Sequence, residues 1–241
     1  MADELELARE VVELAMRAGA TQAEATYTVS DRFSTEARDA QIAKLEQSVA
    51  RGVTLRVFER GAKATLTTSD LSPSSLRDFV TETVAAARHV TADPNAGLPD
   101  PNAFATDEPN LPTYAGDVRT RPPEAKIADA LALERVARES DPRIVNSSGS
   151  RIADATTTLA LANSAGFAGG YRASQVVASC APIARDGPNK RQGSYGAAGR
   201  SYARLEAIDA IARTAAKRAV ASIGARKPAT MRCPVIFDRD V

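Results

Sequence analysis

The sequence predicts an α+β fold in which antiparallel strands are covered by helices and the order helix, strands, helix occurs twice. Three observations carry this expectation. Apolar residues recur at helical spacing in four segments, apolar and polar residues alternate in several others, and a proline-rich stretch separates two lengths of similar layout.

The first helix is expected over residues 3–18, where Asp3 and Glu6 have capping-box spacing and Leu5, Ala8, Val11, Val12 and Ala15 mark one face before Gly19. From Gln22 the period changes to two: Ala23, Ala25, Tyr27 and Val29 alternate with Glu24, Thr26, Thr28 and Ser30, as in a half-buried strand. Residues 42–51 read as a second extended segment, although Ile42, Leu45 and Val49 also fit helical spacing. Val53, Leu55 and Val57 then alternate with Thr54 and Arg56 up to the turn Glu59-Arg60-Gly61-Ala62, which returns as a strand through Leu66. Ser72-Pro73 supplies an N-cap and a proline at the first helical position, and Leu76, Phe79, Val80, Thr83, Val84 and Ala87 share one face of a second helix.

Seven of the thirteen prolines lie in residues 91–123, a stretch without sustained periodicity, so 91–122 reads as an extended connector. Beyond it a helix is expected over 123–140, then strands over 143–146, 151–163 and 167–182 with a weaker one near Tyr195, and a last helix over 202–223 stopped by Gly224. These limits give an α+β domain over residues 1–229 with related halves 1–90 and 123–224, each with its own antiparallel sheet. The apolar run Cys233-Pro234-Val235-Ile236-Phe237, within 230–241, reads as the opening strand of a further domain.

Composition bounds the function. The chain has 31 basic and 30 acidic side chains, mixed along its length, so no long-range field gathers phosphate and direct nucleic-acid binding is not expected. No stretch approaches the roughly 20 apolar residues that span a bilayer, and the acidic start Met1-Ala2-Asp3-Glu4 lacks the features of a secretory signal. Cys180 and Cys233 sit in apolar runs and read as two buried thiols in a reducing cytoplasm.

Catalytic chemistry is harder to place. A hydrolytic zinc needs two or three converging ligands, and the sequence holds one histidine, His89, which reads as a surface or capping residue at the end of the second helix. Only His89 could serve Cys180 as an imidazole base, and nothing local positions the two together. The spacings Gly166 to Gly170 and Gly193 to Gly199 lack the Lys-Ser/Thr ending of a phosphate loop and read as turns. Lys190-Arg191 and the set Arg213, Lys217 and Arg218 read as solvated faces, and carboxylates such as Asp39 and Asp154 have no acidic neighbour assignable from sequence. No catalytic, cofactor-binding or metal-binding residue is therefore expected in this chain.

Several segments, in order along the whole chain, resemble one family. They are Ala15 to Glu24, Ser69-Asp70-Leu71-Ser72-Pro73, Ala92 to Asp100, Ala162-Asn163-Ser164-Ala165-Gly166-Phe167 with Gly170-Tyr171, Ala178-Ser179-Cys180, and Ala225 to Met231 leading into Pro234-Val235-Ile236-Phe237. Together they resemble the TldD/PmbA family, once called modulators of DNA gyrase, and within it the PmbA (TldE) branch. The resemblance implies an N-terminal α+β domain followed by a β-rich domain in a considerably longer protein. It also implies a cytoplasmic TldD/TldE metallopeptidase system that degrades unfolded peptides and trims the leaders of peptide antibiotics such as microcin. The resemblance further implies a metal ion, zinc, in the TldD-like partner, held by a His-Glu-x-x-x-His motif of that branch to which no residue here corresponds. This chain would then be inactive alone and hold an extended peptide, paired with a TldD-like subunit or with itself as a homodimer. Two alternatives stand beside this: the front half of a metal-bearing TldD-like peptidase, and a stand-alone protein-interaction domain.

Overall fold

Helices α1 (Ala2–Arg17) and α2 (Pro73–Ala87) flank the strands β1 (Gln22–Arg38), β2 (Gln41–Glu59) and β3 (Ala62–Thr68) in the chain, in a computed structural model that describes residues 1–105 and 111–237. The short helix α3 (Asp117–Thr120) and the longer α4 (Pro123–Glu139) then lead into β4 (Ile144–Asn163), β5 (Ala168–Asp186), β6 (Asn189–Gln192) and β7 (Tyr195–Gly199), and α5 (Ile208–Ala221) follows. Residues 106–110 of the expected connector and 238–241 of the expected terminal strand lie outside the described residues. In its described part, the connector carries a 3₁₀ turn at Pro101–Ala103 and α3.

The separate sheets expected for the two halves are a single sheet. Its order is β3-β2-β1-β4-β5-β6, with β7 also on the outer edge of β5, and every pairing is antiparallel. The join is the β1–β4 ladder from Glu24↔Asn163 to Ala37↔Ser150, which leaves neither long strand with an open edge there. The sheet curls into a half-barrel.

All four long helices cover one face. Ala8, Val11 and Val12 of α1 and Phe79, Val80 and Val84 of α2 pack on Ala25, Tyr27, Val53, Leu55 and Ala160. Leu133 of α4 and Ile211 and Ala215 of α5 pack on Ala37, Ile152, Ala178 and Cys180. The register places these strand residues on the same side of the sheet, since Ala25 pairs with Leu55 and Ala162, and Ile152 with Thr35 and Ala178. Burying each Val, Leu or Phe here contributes about 1.5–3 kcal/mol. Small alanines at the strand positions let the helices approach closely.

Several local expectations are corrected. Helix α1 starts at Ala2 with Met1 as N-cap, so the Asp3/Glu6 capping box does not form; the N-terminal amino group pairs instead with Glu4. By contrast residues 42–51 are strand, as read, because a two-residue turn at Asp39-Ala40 folds them back along β1. The strands expected at 143–146 and 151–163 are one strand with a register shift between Ser147 and Ser150, where Gly149 takes φ 126°. The last helix is shorter than its apolar pattern, since Asp117 accepts the Ser201 hydroxyl and the Ala203 N–H and holds residues 201–204 in a separate 3₁₀ turn. Cys233–Phe237 is irregular and exposed, with no strand pairing among the described residues, and Cys233 is exposed where a buried thiol was expected. Without a ladder partner an apolar run has nothing to hold it as a strand.

Candidate functional site

The helix-free face of the sheet is the open one. Even-numbered β1 residues such as Ser30, Arg32 and Ser34 point there, beside Ser48 and Glu46 of β2 and Ala153, Ala155 and Thr157 of β4. They form an open trough of about 800 Å³, continued across β5 by Gln175 and Val177. Its lining mixes small residues with long polar and charged ones. The Arg32 and Arg151 guanidinium groups rise from its floor and are steadied by the hydroxyls of Ser30 and Ser34, at 3.1 Å each. Further along the same face Leu159, Leu161, Phe167 and Tyr171 line an apolar stretch beside Phe104, whose ring meets that of Phe167 edge-on at 5.4 Å. A surface with small side chains in the middle and an apolar end suits an extended chain lying along the strands more than a compact ligand.

A second feature lies at the rim. From Gln41 to Gly52, β2 pairs with β1 on one side, and β3 joins its other side at Val53. The backbone groups facing outward along this stretch are open to a further strand.

The residues weighed from sequence are scattered over the molecule. His89 lies beyond the end of α2, exposed, its N–H on the Ala86 carbonyl at 3.1 Å. Cys180 is buried, receives the Ser150 hydroxyl at 3.2 Å and lies 3.8 Å from the Leu133 carbonyl; burial pushes its thiol up, away from thiolate. The Gly166 turn is closed by Asn163, whose side-chain oxygen accepts the N–H of Ala165 and Phe167 at 3.0 Å. Gly193 faces the backbone of α5. Arg191 pairs with Asp186 at 2.7 Å, and Arg218 lies over the Tyr195 ring at 4.7 Å. Arg213 and Lys217 are exposed on α5.

Both weighed carboxylates pair with a cation. Asp39 pairs with Arg138 at 3.3 Å. Asp154 is buried and accepts both the Lys126 ammonium and the Tyr202 hydroxyl at 2.6 Å. Burial, followed by the bond to Asp154, pushes the Tyr202 phenol up, so it acts as a neutral donor. Among the described residues no three His, Cys, Asp or Glu side chains come together. An exposed imidazole, a buried thiol and a carboxylate neutralised by lysine do not make a donor set for a hydrolytic metal. The trough and the open edge were missed in the sequence because both arise from the curl and order of the sheet. The alternation at Thr26, Thr28 and Ser30 was the one visible sign of a polar face.

Comparison with known proteins follows the same outline. Residues 23–87 match the model of PmbA/TldA metallopeptidase domain 1, and residues 116–223 match that of the PmbA/TldA metallopeptidase central domain. The chain is 30% identical over 231 residues to a metalloprotease PmbA homologue of Haemophilus influenzae, covering 95% of this chain and 50% of the relative. It is 27% identical over 220 residues to metalloprotease PmbA of Escherichia coli O157:H7, covering 91% and 48%. The chain thus spans about half the length of the curated relatives it matches.

Among solved structures, a protein described as a modulator of DNA gyrase from Bacteroides thetaiotaomicron superposes with TM-score 0.86 at 23% identity, over 92% of this chain and 51% of that one. TldE from Thermococcus kodakarensis superposes with TM-score 0.77 at 12% identity, over 89% and 47%. At these identities the likeness to the solved structures is one of fold. The two domain matches and the curated relatives together show that this chain belongs to the PmbA/TldD metallopeptidase family and carries its N-terminal and central domains.

Proposed function

We propose that this chain is the front part of a PmbA/TldE-type subunit that holds extended peptides for a cytoplasmic metallopeptidase, while hydrolysis takes place at a metal site in a TldD-like partner. The observation that carries this reading is the helix-free face of the sheet, with its trough of about 800 Å³ lined by Ser34, Ser48, Ala155, Thr157 and Gln175 beside Arg32 and Arg151. Ser34, Ser48, Ala155 and Thr157 leave room beside the Arg32 and Arg151 side chains for an extended backbone, and the apolar end at Leu159, Leu161 and Tyr171 offers a place for one large side chain. Unfolded peptides, including antibiotic precursors with leaders, are substrates of this shape.

The test has two arms. Fluorescence anisotropy of a labelled unstructured peptide should show saturable binding to the chain, and Ala155→Trp, which fills the trough, should weaken it about tenfold, as loss of roughly 1.4 kcal/mol does. Peptide cleavage should be absent with the purified chain and appear when a PmbA-type protein containing it is mixed with a TldD-like subunit. Robust cleavage by the chain alone, or binding untouched by Ala155→Trp, overturns the reading.

A further inference from the structure

Two cations of the trough are left without an anion. Arg32 and Arg151 are exposed on its floor, and the bonds to Ser30 and Ser34 engage only the Nε of each guanidinium. Among the described residues neither arginine forms an ion pair, whereas their neighbours on this face do: Lys44 pairs with Glu46 and Arg56 with Glu24, at 3.0 Å each. Glu36 stands directly across the ladder from Arg151, yet its carboxylate lies over Gly149, where a Cβ would come within 2.5 Å of Oε1. Asp154, which also borders the trough, gives its carboxylate to the buried Lys126 ammonium.

The two guanidinium groups repeat along the strand direction. Arg32 leans to Ser30, two residues back on β1; Arg151 starts level with Glu36 and leans to Ser34, two residues back in the same direction. The anchoring serines are therefore four residues apart on one strand, about 13 Å at roughly 3.3 Å per residue. Residues i and i+4 of an extended peptide share a face with the same separation. A chain laid along β1 and β4 with carboxylates at those positions meets both guanidiniums, whose terminal amino groups have the fork geometry that matches a carboxylate.

We infer that the trough selects acidic extended peptides, with Arg32 and Arg151 reading carboxylates four positions apart. This rests on the reading of the trough as a peptide site and adds which peptides it holds. Ser48, Thr157 and Gln175 can bond to the backbone of any sequence, so the choice among sequences falls to the two cations.

Fluorescence anisotropy with labelled Gly/Ser peptides that carry Glu, Gln or Lys at positions i and i+4 tests this. The Glu peptide should bind about fivefold to tenfold tighter than the Gln peptide, the sum of two exposed ion pairs, and the Lys peptide weaker than either. High salt should shrink the preference. Moving the second Glu to i+1, which faces the other way in an extended chain, should forfeit about half of the gain on a logarithmic scale. The double variant R32Q/R151Q should bind Glu and Gln peptides alike, and R32E/R151E should prefer the Lys peptide; a reversed preference shows that the variant is folded. One affinity for all three peptides, still weakened by Ala155→Trp, overturns this inference and leaves the peptide trough standing, whereas no binding of any peptide overturns both. Equal gain from Glu at i+1 and at i+4, or a Glu preference that survives R32Q/R151Q, also overturns the inference. So does displacement of the Glu peptide by a single-stranded oligonucleotide at equal concentration, which assigns the two cations to phosphates.

Discussion

The carboxylate of Glu134 on α4 accepts the backbone N–H of Asp39 at 2.8 Å, and its second oxygen accepts that of Ala40 at 2.9 Å. Both turn residues have positive φ, 54° and 57°, in the left-handed region that favours glycine. A buried side chain 95 residues away thus holds the turn that starts β2 and fixes the register of the open edge. Glu134→Ala leaves two turn amides without this acceptor and should destabilise the fold by about 2–4 kcal/mol. Urea denaturation measures the loss, and amide exchange should localise it to Asp39 and Ala40.

The same turn offers a stabilising change. Ala40 carries a Cβ where the backbone conformation disfavours one, and Glu134 bonds to its N–H, which glycine retains. Ala40→Gly should therefore stabilise by about 0.5–1 kcal/mol, the left-handed strain relieved less the added chain entropy. A rise in the urea midpoint with unchanged slope is the expected result, and a fall would show that Glu134 already offsets the strain.

Lys126 and Asp154 form a buried pair, with side chains 7% and 6% exposed. The Lys126 ammonium also lies 4.7 Å from the centre of the Phe33 ring. Removing one partner strands the other charge, so Lys126→Met should cost about 3–5 kcal/mol. The double change K126M/D154L removes both charges and should recover most of the loss, although Tyr202 then loses its acceptor. A double-mutant cycle by calorimetry tests this; additive losses would show that the pair is not coupled.

The contrast between fold and site follows from what each depends on. Period-two alternation at Ala23, Ala25 and Tyr27, and helical spacing at Val80, Val84 and Ala87, report burial against a local neighbour, so helices and strands were legible. That β1 pairs with β4 was not, because Glu24 and Asn163 are far apart in sequence and nothing in either residue names the other. Ile42, Leu45 and Val49 fitted helix and strand alike, since their apolar character follows from no covering helix: they are exposed. The trough was not legible either, because it is a property of the curled sheet rather than of any residue type.

Asp141 gives a pH-dependent readout. Its carboxylate accepts the Arg143 guanidinium at 2.8 and 2.9 Å and the Arg143 N–H at 2.9 Å, and these bonds hold its pKa down at about 2. A depressed carboxyl pKa favours the folded state above the ordinary carboxylate value. That contribution fades as pH falls and is gone once Asp141 protonates near 2. Carboxyl-carbon NMR should place the Asp141 midpoint at about 2, and Arg143→Ala should move it upward; a midpoint in the ordinary range would mean that the ion pair does not persist in solution.

Gly193 and Gly199 separate packing glycines from permissive ones. A Cβ on Gly193 would lie 2.1 Å from the Ala219 nitrogen and 2.6 Å from its Cα, both backbone atoms of α5 that no rotamer change can move. Gly193→Ala must therefore push α5 off the sheet, disturbing the packing of Ala219 on Ile144 and Ala184, at a cost of about 3 kcal/mol. At Gly199 the nearest atom to such a Cβ is the Ser201 carbonyl oxygen at 3.7 Å, an ordinary contact. Gly199→Ala should stay within about 0.5 kcal/mol of the parent. Thermal denaturation of the two variants side by side discriminates: equal stability would mean that the close approach of α5 to the β6–β7 turn is not maintained in solution.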